Sequence, residues 1–297
     1  MGAMPELPEV ERVRRTLEPH VVGRVVVGVR VLRRGYVQGS ADGASLLVGR
    51  RIVEVRRLGK SLALVGADEG RGAEERGGSL AAVGLHLGMT GQVLTRKDDA
   101  GADGASVFGS LGHVHVVWAL EGGVWVGMRD PRRFGEVRPL GDLDALHRHW
   151  AHLGPDALSI DAAALARGLK PGGRAIKASL LDQRVLAGVG NIYADEALFR
   201  AGIGPRRRAG GLTGAEVARL AEAVRRVLSE AIEAGGSTLR DFQDADGAAG
   251  GYGAQHQVYG RGGRACVVCR GTLRRTVVAQ RTTVWCPRCQ AARRGGA

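Results

Sequence analysis

Four cysteines constrain this chain more than any other feature of its sequence. They fall as Cys266-x2-Cys269, then sixteen residues, then Cys286-x2-Cys289, and no cysteine is left over. Each Cys-x2-Cys turn presents two sulfurs from one tight knuckle, and two knuckles at this separation complete a tetrahedron around zinc. Two disulfides or four free thiols are the alternatives. The intervening TLRRTVVAQRTTVWC reads as a β-hairpin bearing Arg274, Arg275 and Arg281. A closed set of four sulfurs leaves no open coordination position, so the metal would be structural.

The rest of the chain divides by periodicity. Val10, Val13 and Leu17 recur at helical spacing after Pro8, which predicts a helix over 8–18. Short runs rich in β-branched residues follow at 25–32, 51–58, 61–66, 80–87, 113–120 and 124–130. Between them, 66–79 and 96–106 are polar, glycine-rich loops. Beyond about 140 the period becomes helical through to Gly235-Gly236. Thr213 and Glu216 stand at capping-box spacing before the last helix of that region. A glycine-rich connection then leads to the cysteines.

A net charge of +13 and a pI near 10.6 point to a polyanionic partner, nucleic acid or an anionic membrane. The longest apolar stretch, LAAVGLHLGM, is far short of the ~20 residues that span a bilayer. The N-terminus has no signal-peptide apolar region. The expectation is a cytoplasmic, nucleoid-associated protein with reduced cysteines, which favours metal over disulfides. A basic ribbon on a basic chain favours DNA or RNA.

Seven segments together resemble one family. They are MPELPEVE at 4–11, LGKSLAL at 58–64, HLGMTG at 86–91, DPRRFG at 130–135, GVGNIYADEALFRAGI at 188–203, VYGR at 258–261 and AQRTTVWCPRC at 279–289. In this order they resemble the formamidopyrimidine-DNA glycosylases, bacterial enzymes that excise oxidised purines. The likeness runs from Met4 to about Gln290. The PELPE opening favours this branch over the endonuclease VIII branch.

The resemblance implies a multidomain α+β fold. It would hold an N-terminal β-sandwich with an early helix over 4–140, a helix–two-turns–helix domain over 142–236 and a zinc ribbon over 256–290. It implies a monomer that binds double-stranded DNA containing oxidised bases and carries one structural Zn2+. It also implies bifunctional glycosylase and AP lyase chemistry on a nucleotide flipped out of the duplex, since its target atom cannot be reached in the stack. Pro5 would be the nucleophile, since an N-terminal proline is a secondary amine able to form an iminium. Read alone, PELPEVE is only a helix entry. Glu6 would be the acid/base beside it. Lys60 would act in β-elimination or pair with phosphate, and otherwise reads as a solvated strand-end charge. Arg281 would assist δ-elimination or hold phosphate. Asn191 would bind flanking phosphates, with a helix N-cap as the compatible alternative. Met89, Arg132 and Phe134 match the wedge that fills the gap left by the flipped nucleotide. Without the resemblance, Met89 and Phe134 are core residues. His113 matches a DNA-contacting histidine, and Arg174 is the candidate contact within LKPGGRAIK. The 237–255 loop, with Arg240, would select the lesion.

The departure from the family is at the start. A proline within a chain is an amide and not nucleophilic. The expectation is therefore that translation begins at Met4 and that removal of this methionine frees Pro5. If Met1 is the start, the alternative is a lesion-binding relative without catalysis. An oxidised-pyrimidine glycosylase is the other alternative.

Overall fold

A computed structural model describes residues 4–68, 79–97, 107–170, 173–237 and 242–291. The chain forms two compact units. The first comprises Met1–Pro5, Glu9–Ala151 and Thr238–Gly250, and the second Glu6–Pro8, His152–Ser237 and Gly251–Ala297. Most of the 66–79 and 96–106 loops, and Arg240, lie outside the described residues.

The first unit is a β-sandwich. Its strands are β1 (Val26–Val31), β2 (Arg50–Leu58), β3 (Ser61–Asp68), β4 (Leu80–His86), β5 (Gln92–Lys97), β6 (Val114–Leu120), β7 (Val124–Arg129) and β8 (Glu136–Leu140). They make two antiparallel sheets, ordered β1-β6-β7-β5 and β2-β3-β4-β8. Helix α1 (Leu7–Val21) buries Val10, Val13, Leu17 and Val21 in the same core as Ile52, Leu64, Val83, Trp118 and Met128. The helix outruns its expected end at 18 and contains Pro19. It stops where Gly23 takes φ 84° and its N–H donates to the Ile52 carbonyl. Two strands, β5 and β8, are absent from the sequence reading. Both are edge strands. β5 runs out into basic residues, and β8 contains Pro139, which an edge tolerates because one side of the strand needs no ladder donor.

After α2 (Leu143–Trp150), the second unit carries α3 (Ala162–Leu169), α4 (Ile176–Leu181), α5 (Asn191–Arg200) and α6 (Gly214–Glu233). Asp161 caps α3 through the Ala164 N–H at 2.6 Å. The Thr213–Glu216 capping box opens α6 as expected, and Gly235 and Gly236, at φ 82° and 84°, follow its end. β9 (Arg274–Val278) and β10 (Arg281–Trp285) form the hairpin between the cysteine knuckles. Their small core joins Val258, Leu273 and Val284 to the cysteines and to Phe199 of α5.

Candidate active site

The sequence around Glu6 is explained by one carboxylate. Glu6 is buried, and its oxygens accept the backbone N–H groups of Gly190 at 2.8 Å, Ile192 at 2.9 Å and Tyr193 at 3.3 Å. These are orphan donors at the N-terminus of α5, where the helix dipole also favours negative charge. The Leu7 N–H donates to the Gly188 carbonyl at 3.0 Å. The glycines of GVGN follow directly. A Cβ on Gly190 would sit 2.3 Å from the Glu6 Cδ, and one on Gly188 would sit 2.5 Å from the Leu7 Cδ1. The N-cap expectation changes here. Gly190, not Asn191, is the N-cap residue, and the side chain that caps the helix is Glu6. The helix-end N–H groups that an incoming phosphate would use are already taken by the protein's own anion. Half-buried Pro5 immediately precedes this fixed carboxylate.

Asn191 turns instead to the ribbon hairpin, where its Nδ2 donates to the Thr282 carbonyl at 3.2 Å. Arg281 is exposed at the tip of that hairpin, after a two-residue turn in which Ala279 and Gln280 hold φ 48° and 58°. Beneath it lies a pair that the sequence reading missed. Fully buried Lys177 meets Asp195 at 2.7 Å and donates to the Thr283 hydroxyl at 2.8 Å, while Asp195 accepts the Val284 N–H at 3.0 Å. Burial presses the Lys177 ammonium down against the pull of Asp195, and pushes the Asp195 carboxyl up to about 6 against the pull of Lys177. Glu196, also buried, accepts the N–H groups of Gln257, Val258 and Tyr259. So Glu6, Asn191, Lys177 and the Arg281 hairpin share one hydrogen-bonded framework in the second unit. The sequence signal for Lys177 and Asp195 was weak, a single charge in each of two largely apolar helical segments, with Glu196 adjoining Asp195. Arg174, the candidate in that segment, is exposed and bonds Asp182 at 3.0 Å.

The first unit holds the other residues. Lys60 is 9 % exposed in the two-residue turn between β2 and β3, behind Gly59 at φ 56°, so it is not a solvated strand-end charge. Phe134 is 54 % exposed and Met89 half-buried, so neither is an ordinary core residue. The Arg132 guanidinium lies over the Phe134 ring, 4.7 Å from its centroid. A Cβ on Gly88 would sit 2.3 Å from the Phe134 carbonyl carbon, so the HLGMTG and DPRRFG loops touch backbone to backbone. His113 is exposed with φ 70°.

The four cysteine sulfurs lie within 4.8 Å of one another. The 3.8 Å between Cys266 and Cys289 and the 3.4 Å between Cys269 and Cys286 are too long for disulfides. They match the roughly 3.8 Å edge of a tetrahedron with Zn–S bonds of about 2.3 Å. The four residues fit one structural zinc ion.

The formamidopyrimidine-DNA glycosylase N-terminal domain matches residues 4–137, the H2TH domain of the same glycosylases matches 153–243, and the zinc finger found in FPG and IleRS matches 263–292. The chain belongs to the formamidopyrimidine-DNA glycosylase family. The formamidopyrimidine-DNA glycosylase of Paracoccus denitrificans is 43% identical over 97% of this chain and 100% of its own length. That of Methylococcus capsulatus is 42% identical with the same coverage. The MutM (Fpg) crystal structure from Thermus thermophilus superposes with a TM-score of 0.78 at 41% identity, covering 96% of this chain and 98% of that one. A complex of Lactococcus lactis Fpg with abasic-site DNA gives 0.79 at 28% identity, covering 97% and 100%. The architecture is therefore the sandwich, helix–two-turns–helix and zinc finger of this family. Among the described residues no helix is long and apolar enough to cross a membrane.

Proposed function

We propose that this chain is a bifunctional glycosylase/AP lyase that excises oxidised purines, chiefly 8-oxoguanine and formamidopyrimidines, from duplex DNA. Family membership carries the coarser statement, a DNA-repair glycosylase. The observation that carries the finer one is the seat of Glu6. Three backbone N–H groups hold that carboxylate beside Pro5, so the residue next to the nucleophile has one defined position.

In this reading the Pro5 amine attacks C1′ of the flipped nucleotide. The glycosidic bond breaks and the departing base takes a proton from solvent. The Pro5 nitrogen, now carrying a proton, gives it to the Glu6 carboxylate, which passes it to O4′ as the C1′–O4′ bond opens, leaving a C1′ iminium on Pro5. The iminium acidifies C2′–H, and loss of that proton expels the 3′ phosphate. A second proton loss, from C4′, expels the 5′ phosphate, and water releases the proline. Lys60 serves the first elimination and Arg281 the second, each as proton donor or phosphate partner. Asn191 holds flanking phosphate. Met89, Arg132 and Phe134 fill the vacated stack, as apolar wedges do in kinked duplexes. His113 and Arg174 add backbone contacts. Cys266, Cys269, Cys286 and Cys289 hold the zinc, which shapes the hairpin.

The test is borohydride trapping on an 8-oxoguanine duplex with chains purified from a Met4 start. The expected result is a covalent adduct with Pro5 at the N-terminus and loss of adduct and excision in Pro5→Gly. Full excision by that variant overturns the assignment. Excision from thymine-glycol duplexes alone would place the enzyme with the oxidised-pyrimidine branch.

A further inference from the structure

One buried carboxylate stitches together the two loops that carry Met89, Arg132 and Phe134. Asp130 follows β7 and has no solvent exposure. Its Oδ1 accepts the Thr90 hydroxyl at 2.5 Å and the Arg132 N–H at 3.2 Å. Its Oδ2 accepts the Gly135 N–H at 2.8 Å and the Tyr36 hydroxyl at 3.2 Å. Its own N–H donates to the His113 carbonyl at 2.9 Å, and its carbonyl lies 2.8 Å from the His115 Nε2. The His115 ring packs on Tyr36, with centroids 4.5 Å apart.

This arrangement over-determines a strained region. His113 and Arg133 hold φ 70° and 58° without being glycine. Such conformations persist where surrounding contacts enforce them, and they cluster at functional sites. The loops also interlock, since a Cβ on Gly135 would fall 2.4 Å from the His86 carbonyl and 2.5 Å from the Tyr36 hydroxyl. Among the described residues, the four groups that Asp130 binds by its side chain are neutral donors, so no ion pair there compensates its burial. Asparagine has one acceptor oxygen where this site asks for two. The demand for a carboxylate is therefore a demand for four simultaneous donors, one from the Met89 loop, two from the Arg132–Phe134 loop and one from Tyr36 beneath them.

We propose that Asp130 is the positioning residue of the wedge, supported by Tyr36. It presets Met89, Arg132 and Phe134 as one unit before DNA arrives, so insertion into the stack needs no loop ordering. The proposal rests on the wedge reading of those three residues.

The experiment places 2-aminopurine opposite an 8-oxoguanine and follows its fluorescence by stopped flow, with zinc content and Tm measured on each protein. The fluorescence phase precedes bond breaking, so it does not depend on the Pro5 assignment. Met89→Ala and Phe134→Ala test the wedge reading itself. Asp130→Asn and Thr90→Val test the positioning role, and Thr90→Ser, which keeps the hydroxyl, is the rescue. The expected result is that Asp130→Asn and Thr90→Val slow the phase by about tenfold or more at unchanged zinc content, while Thr90→Ser stays near the parent rate. Duplex affinity, dominated by phosphate contacts, should change by less than about threefold. If Asp130→Asn fails to fold, the Thr90 pair decides alone. Slowing by Met89→Ala with parental rates in Asp130→Asn and Thr90→Val would overturn the positioning role. Parental rates in Met89→Ala and Phe134→Ala would overturn the wedge, and the proposal with it.

Discussion

At the scale of single residues, glycines and carboxylates explain one another. Gly190 lacks a side chain because Glu6 occupies the space, and Glu6 is ordered because Gly190 leaves three helix-end N–H groups open to it. Gly190→Ala should therefore act on activity more than on fold. Excision should fall by about a hundredfold or more with helical circular dichroism retained, because the added methyl displaces the carboxylate beside Pro5. Unchanged turnover would show that the position of Glu6 does not matter. A second carboxylate, Glu11, sets acid stability. Burial would raise its pKa, but Arg14, Arg57 and Arg15, at 2.8–3.1 Å, outweigh burial and hold it at about 2 against an ordinary 4.5. A folded pKa below the unfolded one contributes stability that is present above 4.5 and is lost as pH falls from 4.5 towards 2. That contribution is on the order of 3 kcal/mol. Urea unfolding of the parent and Glu11→Gln should show a stability gap near neutrality that narrows below pH 4.5 and closes only as pH approaches 2. A gap independent of pH would assign the loss to packing.

At the scale of elements, the ribbon hairpin is held by its ends rather than by its turn. Ala279 and Gln280 occupy left-handed φ, the geometry of a type I′ turn that favours Asn-Gly. Replacing them by Asn and Gly should stabilise the hairpin by about 1 kcal/mol, read as a higher Tm and slower zinc loss to a chelator. A lower Tm would mean that the native pair makes contacts worth more than its strain. Sequence legibility varied with where each element sits. Strands paired on both flanks, such as β3 and β4, announced themselves by continuous apolar runs. Edge strands β1 and β2 were also legible, but β5 and β8 were not, because β5 runs into Arg96 and Lys97 after a short apolar run and β8 is broken by Arg138 and Pro139, which an edge tolerates. The capping box of α6 was readable from Thr213 and Glu216 because both partners lie within one helical turn. The cap of α5 was not readable, since its carboxylate comes from 184 or more residues away.

At the scale of the molecule, a net charge of +13 and a zinc ribbon carrying Arg274, Arg275 and Arg281 bear on affinity for DNA. Cys286→Ser should release the zinc, weaken binding to damaged duplex and flatten the dependence of log affinity on log salt, because fewer phosphates are neutralised. Metal analysis and fluorescence anisotropy at several salt concentrations check this. Unchanged affinity in the zinc-free variant would remove the ribbon from the interface. The sequence by itself determined the local devices: the cysteine knuckles and their hairpin, most strands, the helical segments and the motif residues. Each depends on spacing within a few residues, which chain stereochemistry converts directly into geometry. Only the tertiary structure decided which groups those motifs face. It placed Glu6 on the helix end at Gly190, buried Lys177 against Asp195, exposed Phe134, and made Asp130 the junction of two loops and Tyr36. These pairings close long stretches of chain, 94 residues between Tyr36 and Asp130. They follow from packing and from the need to satisfy every buried polar group, which no local pattern records.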